Sequence, residues 1–118
     1  MLSFRTSTRA GLLAAASSMA MLMLASSAQA QQAKEIRITH KGKQFQPAEI
    51  SAPANTPLTL KVKNLDADAM EFESTSLRVE KVIPANGEGT LNLRALAPGR
   101  YEFFDDFNQK SQGALNVK

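Results

Sequence analysis

From residue 31 onward, apolar side chains recur at every second position in short runs. Ile36 and Ile38 stand between charged neighbours, and Leu58, Leu60 and Val62 are interleaved with a threonine and lysines. Leu77 and Val79 alternate with Arg78 and Glu80, Leu91 and Leu93 with Asn92 and Arg94, and Tyr101 and Phe103 with Glu102. Leu115 and Val117 end the chain in the same rhythm. Successive side chains of a β-strand point to opposite faces, so each run reads as a strand with one face buried. Turn residues punctuate the runs: Pro47, then Pro53 and Pro57, the segment from Pro84 to Gly87, and Pro98-Gly99. Pro fixes φ and lacks a donor, and Gly permits positive φ, so both interrupt strands.

Several short strands with regularly spaced turns predict an all-β sandwich or barrel. A helical period is not sustained beyond the N-terminal segment; at most one helical turn fits "NLDADA" or "FNQKSQ". Tyr101, just after the Pro98-Gly99 turn, suits a tyrosine corner, in which the hydroxyl bonds backbone a few residues upstream in a Greek-key sandwich. Alternatively it is simply a half-buried strand aromatic. The expected fold is a Greek-key β-sandwich of about seven or eight strands.

The first thirty residues follow another pattern. Arg5 and Arg9 precede an apolar run from Ala10 to about Ala25, and Ala28-Gln29-Ala30 fits a small-residue cleavage site. This reads as a secretory signal peptide, residues 1–30, followed by one domain, residues 31–118. The run contains Ser17 and Ser18 and is shorter than the ~20 apolar residues of a membrane span. The expectation is therefore a periplasmic protein that is not embedded in a membrane. The 14 Lys and Arg exceed the 11 Asp and Glu by three, and two of those arginines lie in the signal, so the remaining domain is close to neutral. No basic stretch is interleaved with aromatics, which argues against nucleic acid as a partner.

The residue inventory narrows the chemistry. There is no cysteine, so neither a disulfide nor a thiolate is available, and His40 is the single histidine. No Gly-rich phosphate loop or nucleophile elbow is present. What remains are oxygen and thioether groups in two stretches, "NLDADAMEFES" and "FFDDFNQ". If Phe72 faces the core, Glu71 and Glu73 face away from it. Tyr101, Phe103 and Asp105 share one parity, so Asp105 points toward the end of the core, where a carboxylate needs a cation, a donor network or a metal. The structural alternatives are ordinary: Lys110 or Arg100 neutralising Asp105 and Asp106, a solvated face for Glu71 and Glu73, and Met70 as core filler.

"FQPAEISAPANTPLTLKVKNLDA" and "LAPGRYEFFDDFNQKSQGALNVK" together resemble the two halves of the cupredoxins. The shared features are F-x-P, a hairpin and an Asn-led loop, then a Pro-Gly turn, Y-x-F, a ligand loop and a final strand after glycine. Carried over position by position, the blue-copper ligands of that family fall at Met70, Asp105 and Asn108, with Ser111 or Gln112 in place of the axial Met. A type 1 copper site needs a Cys thiolate, so none is expected here. "MEFES", "LRVEKVIPA" and "FFDDFNQ" resemble more narrowly the Cys-less cupredoxin-like periplasmic proteins that accompany Ftr-type ferrous iron uptake permeases.

That resemblance implies a metal-binding accessory that binds Fe(II) for an inner-membrane iron permease, together with a periplasmic iron-binding protein. Weak ferroxidase activity is left open. It implies a metal set of Asp105, Asp106, Glu71, Glu73, Met70 and Asn108, with His40 as a marginal extra, and iron or copper as the ion. Two alternatives stand beside it: a metal-free periplasmic interaction module, and a copper protein lacking a type 1 site.

Overall fold

The structure, a computed structural model, describes Ser3 and residues 32–118; apart from Ser3, the expected signal peptide lies outside the described residues. Nine strands form two sheets, and the described residues contain no helix. They are β1 (Lys34–Lys41), β2 (Gln44–Gln46), β3 (Glu49–Ala52), β4 (Leu58–Asn64), β5 (Met70–Ser74), β6 (Val79–Ile83), β7 (Glu88–Leu93), β8 (Gly99–Asp105) and β9 (Asn108–Val117). The four-stranded sheet runs β2-β1-β4-β7 and the five-stranded sheet β3-β9-β8-β5-β6. β1 pairs in parallel with β4, and β3 with β9.

The count exceeds the expected seven or eight because β2 and β3 are separate pieces of three and four residues flanking Pro47, too short to display a period. Two other expectations shift. Leu77 is buried in the turn between β5 and β6, not in a strand, and Arg78 beside it has φ 56°. "FNQKSQ" is a turn at residues 106–107 that opens β9, not helix.

The alternation has the predicted cause. Ile36, Ile38, Leu58, Leu60, Val62, Leu91 and Leu93 of one sheet meet Phe72, Ile83, Phe103, Leu115 and Val117 of the other. Each fully buried side chain of this size contributes about 1.5–3 kcal/mol before entropy is counted. Phe103 is the hinge of this packing: its ring lies 4.9 Å from both Phe45 and Phe72. Gly113 leaves room for it, since a Cβ there would meet Phe103 ring carbons at 2.5 Å and the Ala48 carbonyl at 2.8 Å. Tyr101 Oη donates to the Ala97 carbonyl at 2.8 Å, the predicted tyrosine corner. Among the described residues no helix is long and apolar enough to cross a membrane.

Candidate metal centre

β5 and β8 lie side by side, with Phe72 opposite Asp105. The register is interrupted between Phe104 and Asp105 where β8 meets β9. There the chain turns, and the two neighbouring carboxylates separate. Asp105 points inward and is 3% exposed. Its Oδ1 accepts the Glu71 N–H and the Phe107 N–H, each at 3.0 Å. The donor network that a buried carboxylate requires is thus backbone. Asp106 stays outside, and its N–H donates to the Glu71 carbonyl at 2.9 Å. β5 is therefore gripped at Glu71 by both aspartates, by the side chain of one and the backbone of the other.

On the outer face, Glu71, Glu73 and Asp106 each place one carboxylate oxygen within 4.8 Å of the other two. Glu71 and Glu73 share this face because they are two residues apart on β5. Glu80 joins them from β6, where it stands opposite Glu73. The crowding shows in protonation. A hydrogen bond with the Glu80 carboxyl, together with burial and the charges of Glu80, Asp106 and Glu73, pushes Glu71 up to about 7. Burial, then the charges of Asp106 and Glu80, raises Glu73 as well. Oxygens on opposite sides of one hard cation stand about 4–5 Å apart. The cluster is therefore of the right span to close on one ion, and a cation would relieve the repulsion that now holds protons there.

The candidate residues do not form one site. Met70 is 0% exposed, packed in the core opposite Ile83, and turned away from the carboxylates of its neighbour Glu71. Asp105 and Asn108 lie on the inner side, lining a cleft of about 90 Å³ with His40, Asp66 and Asp68. The expected single set thus divides across the β5–β8 layer, because alternation sends neighbouring side chains to opposite faces. Neither Arg100 nor Lys110 neutralises the aspartates. Arg100 instead forms a two-pronged pair with Glu49, both bonds 2.8 Å, which with Asn116 holds that carboxyl at about 2.

His40, the marginal candidate, proves central to the inner cleft. Parallel pairing of β1 with β4 sets it opposite Asn64 at the start of the loop leading to β5. Its ring packs 4.9 Å from Phe45 and is 2% exposed. Glu80 was missed for a different reason: "LRVEKV" reads as an ordinary strand, and only its register against β5 places Glu80 in the cluster. Asp66 was also missed; it caps the β1–β2 turn by accepting the Gly42 and Lys43 N–H groups at 2.6 and 2.9 Å.

The positions that the cupredoxin resemblance assigns to copper ligands hold a core methionine, a backbone-bonded aspartate and an asparagine. Ser111 bonds His40, and Gln112 is exposed. This donor set lacks the thiolate and the paired imidazoles of a type 1 site, and blue copper does not fit it.

Comparison with known proteins agrees with the sandwich. Over 84 residues the chain is 37% identical to an uncharacterized protein of Rickettsia prowazekii (strain Madrid E), covering 70% of this chain and 67% of that protein. Among solved structures, the metal binding domain of the Cu(I) exporting P-type ATPase CopA from Streptococcus pneumoniae D39 superposes with TM-score 0.65 at 19% identity. That match covers 71% of this chain and 84% of the domain. Auracyanin A, a "blue" copper protein from Chloroflexus aurantiacus, superposes with TM-score 0.63 at 17% identity, covering 74% of this chain and all of auracyanin A (100%). At such identities the structures speak for the fold alone. Residues 14–117 match the cupredoxin-like domain family, and the chain belongs to it.

Proposed function

We propose that this protein is a periplasmic metal-handling accessory that binds Fe(II) at the outer carboxylate cluster and delivers it to a membrane permease. The observation that carries the reading is the convergence of Glu71, Glu73 and Asp106 oxygens within 4.8 Å, with Glu71 only 7% exposed. A family better known for sulfur and imidazole ligands here presents oxygen. Carboxylates suit hard cations, and they stabilise Fe(III) more than Fe(II) because the higher charge gains more from anionic donors. Bound iron would therefore be easier to oxidise. Oxidation also needs an electron acceptor, and the described residues include no redox-active group, so the reading commits to binding and delivery.

Exposed Val82 and Phe107 border the cluster, Val82 opposite Glu71 on β6 and Phe107 next to Asp106. An apolar rim around an ion site suits hand-over to a docked protein, since the contact excludes water while the ion moves. The test is anaerobic calorimetry with Fe(II), using Mn(II) as a redox-inert substitute. One ion per chain is expected at micromolar or tighter affinity, with Glu71→Gln plus Glu73→Gln weakening it about tenfold or more, roughly 1.4 kcal/mol or more. Absence of binding heat for both ions would remove the reading and leave a metal-free interaction module.

A further inference from the structure

The inner face of the same strands carries a second arrangement, independent of the carboxylate cluster. His40 Nε2 lies 3.0 Å from Ser111 Oγ and 3.6 Å from Asp105 Oδ2. Its Nδ1 lies 3.3 Å from Asp66 Oδ2 yet makes no hydrogen bond, and among the described residues it is the one buried side-chain N or O atom without a hydrogen-bond partner. Asp66 is an anion: the Lys43 and Gly42 N–H groups, with a smaller contribution from His40, hold it below the usual carboxylate range. With Nε2–H directed at Ser111 and Asp105, Nδ1 presents its lone pair. A buried lone pair beside a carboxylate, with no proton aligned between them, is a cost that proteins rarely leave uncompensated.

We propose that His40 Nδ1 and Asp66 Oδ2 bind a divalent ion of the imidazole-preferring class, Zn(II) or Cu(II). Two ligand atoms on a tetrahedral ion with bonds of about 2.0–2.1 Å stand about 3.3 Å apart, which is the separation observed. The supporting groups are those that metal-binding histidines use. A carboxylate and a hydroxyl hold the other ring nitrogen, and two backbone N–H groups hold the ligating carboxylate. Asp68 and Asn108 line the same cleft of about 90 Å³, room for two or three waters at about 30 Å³ each to complete the shell. One nitrogen among oxygens favours zinc or copper over the hard ions that suit the outer cluster.

Zn(II) titration followed by imidazole ¹⁵N NMR tests the proposal, on the wild type and on Glu71→Gln plus Glu73→Gln, which disables the outer cluster alone. The expected result is a His40 Nδ1 resonance that moves to the metal-bound range with one equivalent of Zn(II) in both proteins. Binding should fall about tenfold or more in Asp66→Asn, with His40→Gln as a second variant if Asp66→Asn unfolds. A His40 ring that carries protons on both nitrogens and does not respond to Zn(II) would overturn the proposal, whatever the outer cluster binds. So would a response that disappears with the outer glutamates.

Discussion

At Asp105 and Asp106, one peptide bond separates a structural carboxylate from a candidate ligand. Asp105 is spent on the N–H groups of Glu71 and Phe107, while Asp106 adds its charge to that of Glu71, Glu73 and Glu80. The strand parity of Tyr101 and Phe103 made the inward turn of Asp105 legible in the sequence. It could not show that Asp105's partners would be amides from β5, because those are brought by tertiary pairing. The same limit hid Glu80, whose local pattern is that of any solvated strand face. Glu71 yields a prediction with a definite sign. Its carboxyl titrates near 7 in the folded protein against an ordinary 4.5. The folded state therefore binds more protons between those values, and stability falls as pH rises through that window. In chelator, urea unfolding of the wild type should show this decline from about pH 4.5 to 7, and Glu71→Gln should flatten it. A Glu71 titration near 4.5 would contradict the crowding. Glu49, held at about 2 by Arg100 and Asn116, acts in the opposite sense: its contribution is complete above 4.5 and is lost only as pH falls toward 2.

Among the elements, the loop between β4 and β5 carries much of the organisation. Asn64, 0% exposed, donates through Nδ2 to the carbonyls of Asp68, Ile83 and Pro84 and accepts the Asp66 N–H at 3.1 Å. One side chain thus shapes the loop that presents Asp66 and Asp68 and ties it to the end of β6. The sequence showed an Asn-led loop and its flanking strands, and it showed the Tyr101 corner through the Pro-Gly turn before it. It did not show that the parallel β1–β4 pairing would bring His40 to this loop, since that pairing joins segments far apart in the chain. Asn64→Ala should leave buried carbonyls without donors and cost about 1–3 kcal/mol, lowering the melting temperature by roughly 4–8 °C per kcal/mol for a domain of this size. Thermal unfolding reads this directly; a change below about 0.5 kcal/mol would mean that water replaces the asparagine and the loop holds its own shape.

For the molecule as a whole, two sheets of period-two sequence close over one core, which is why the fold class could be read before any coordinates. The functional centre was less legible because its parts lie on two sides of a single layer. Oxygen donors gather outside β5, and a lone imidazole with two aspartates gathers inside. A one-dimensional pattern gives parity within a strand but not which strands share a face. In the cupredoxin-like family to which the chain belongs, this division replaces one thiolate-centred site with an acidic surface and a separate cleft. The most direct test of the central claim is anomalous diffraction from crystals grown with Mn(II), with data collected above and below the manganese edge. The account predicts a single strong peak between the carboxylates of Glu71, Glu73 and Asp106, absent from the Glu71→Gln plus Glu73→Gln protein. A map with no peak there, or with manganese bound elsewhere while those carboxylates keep their protons, would contradict it.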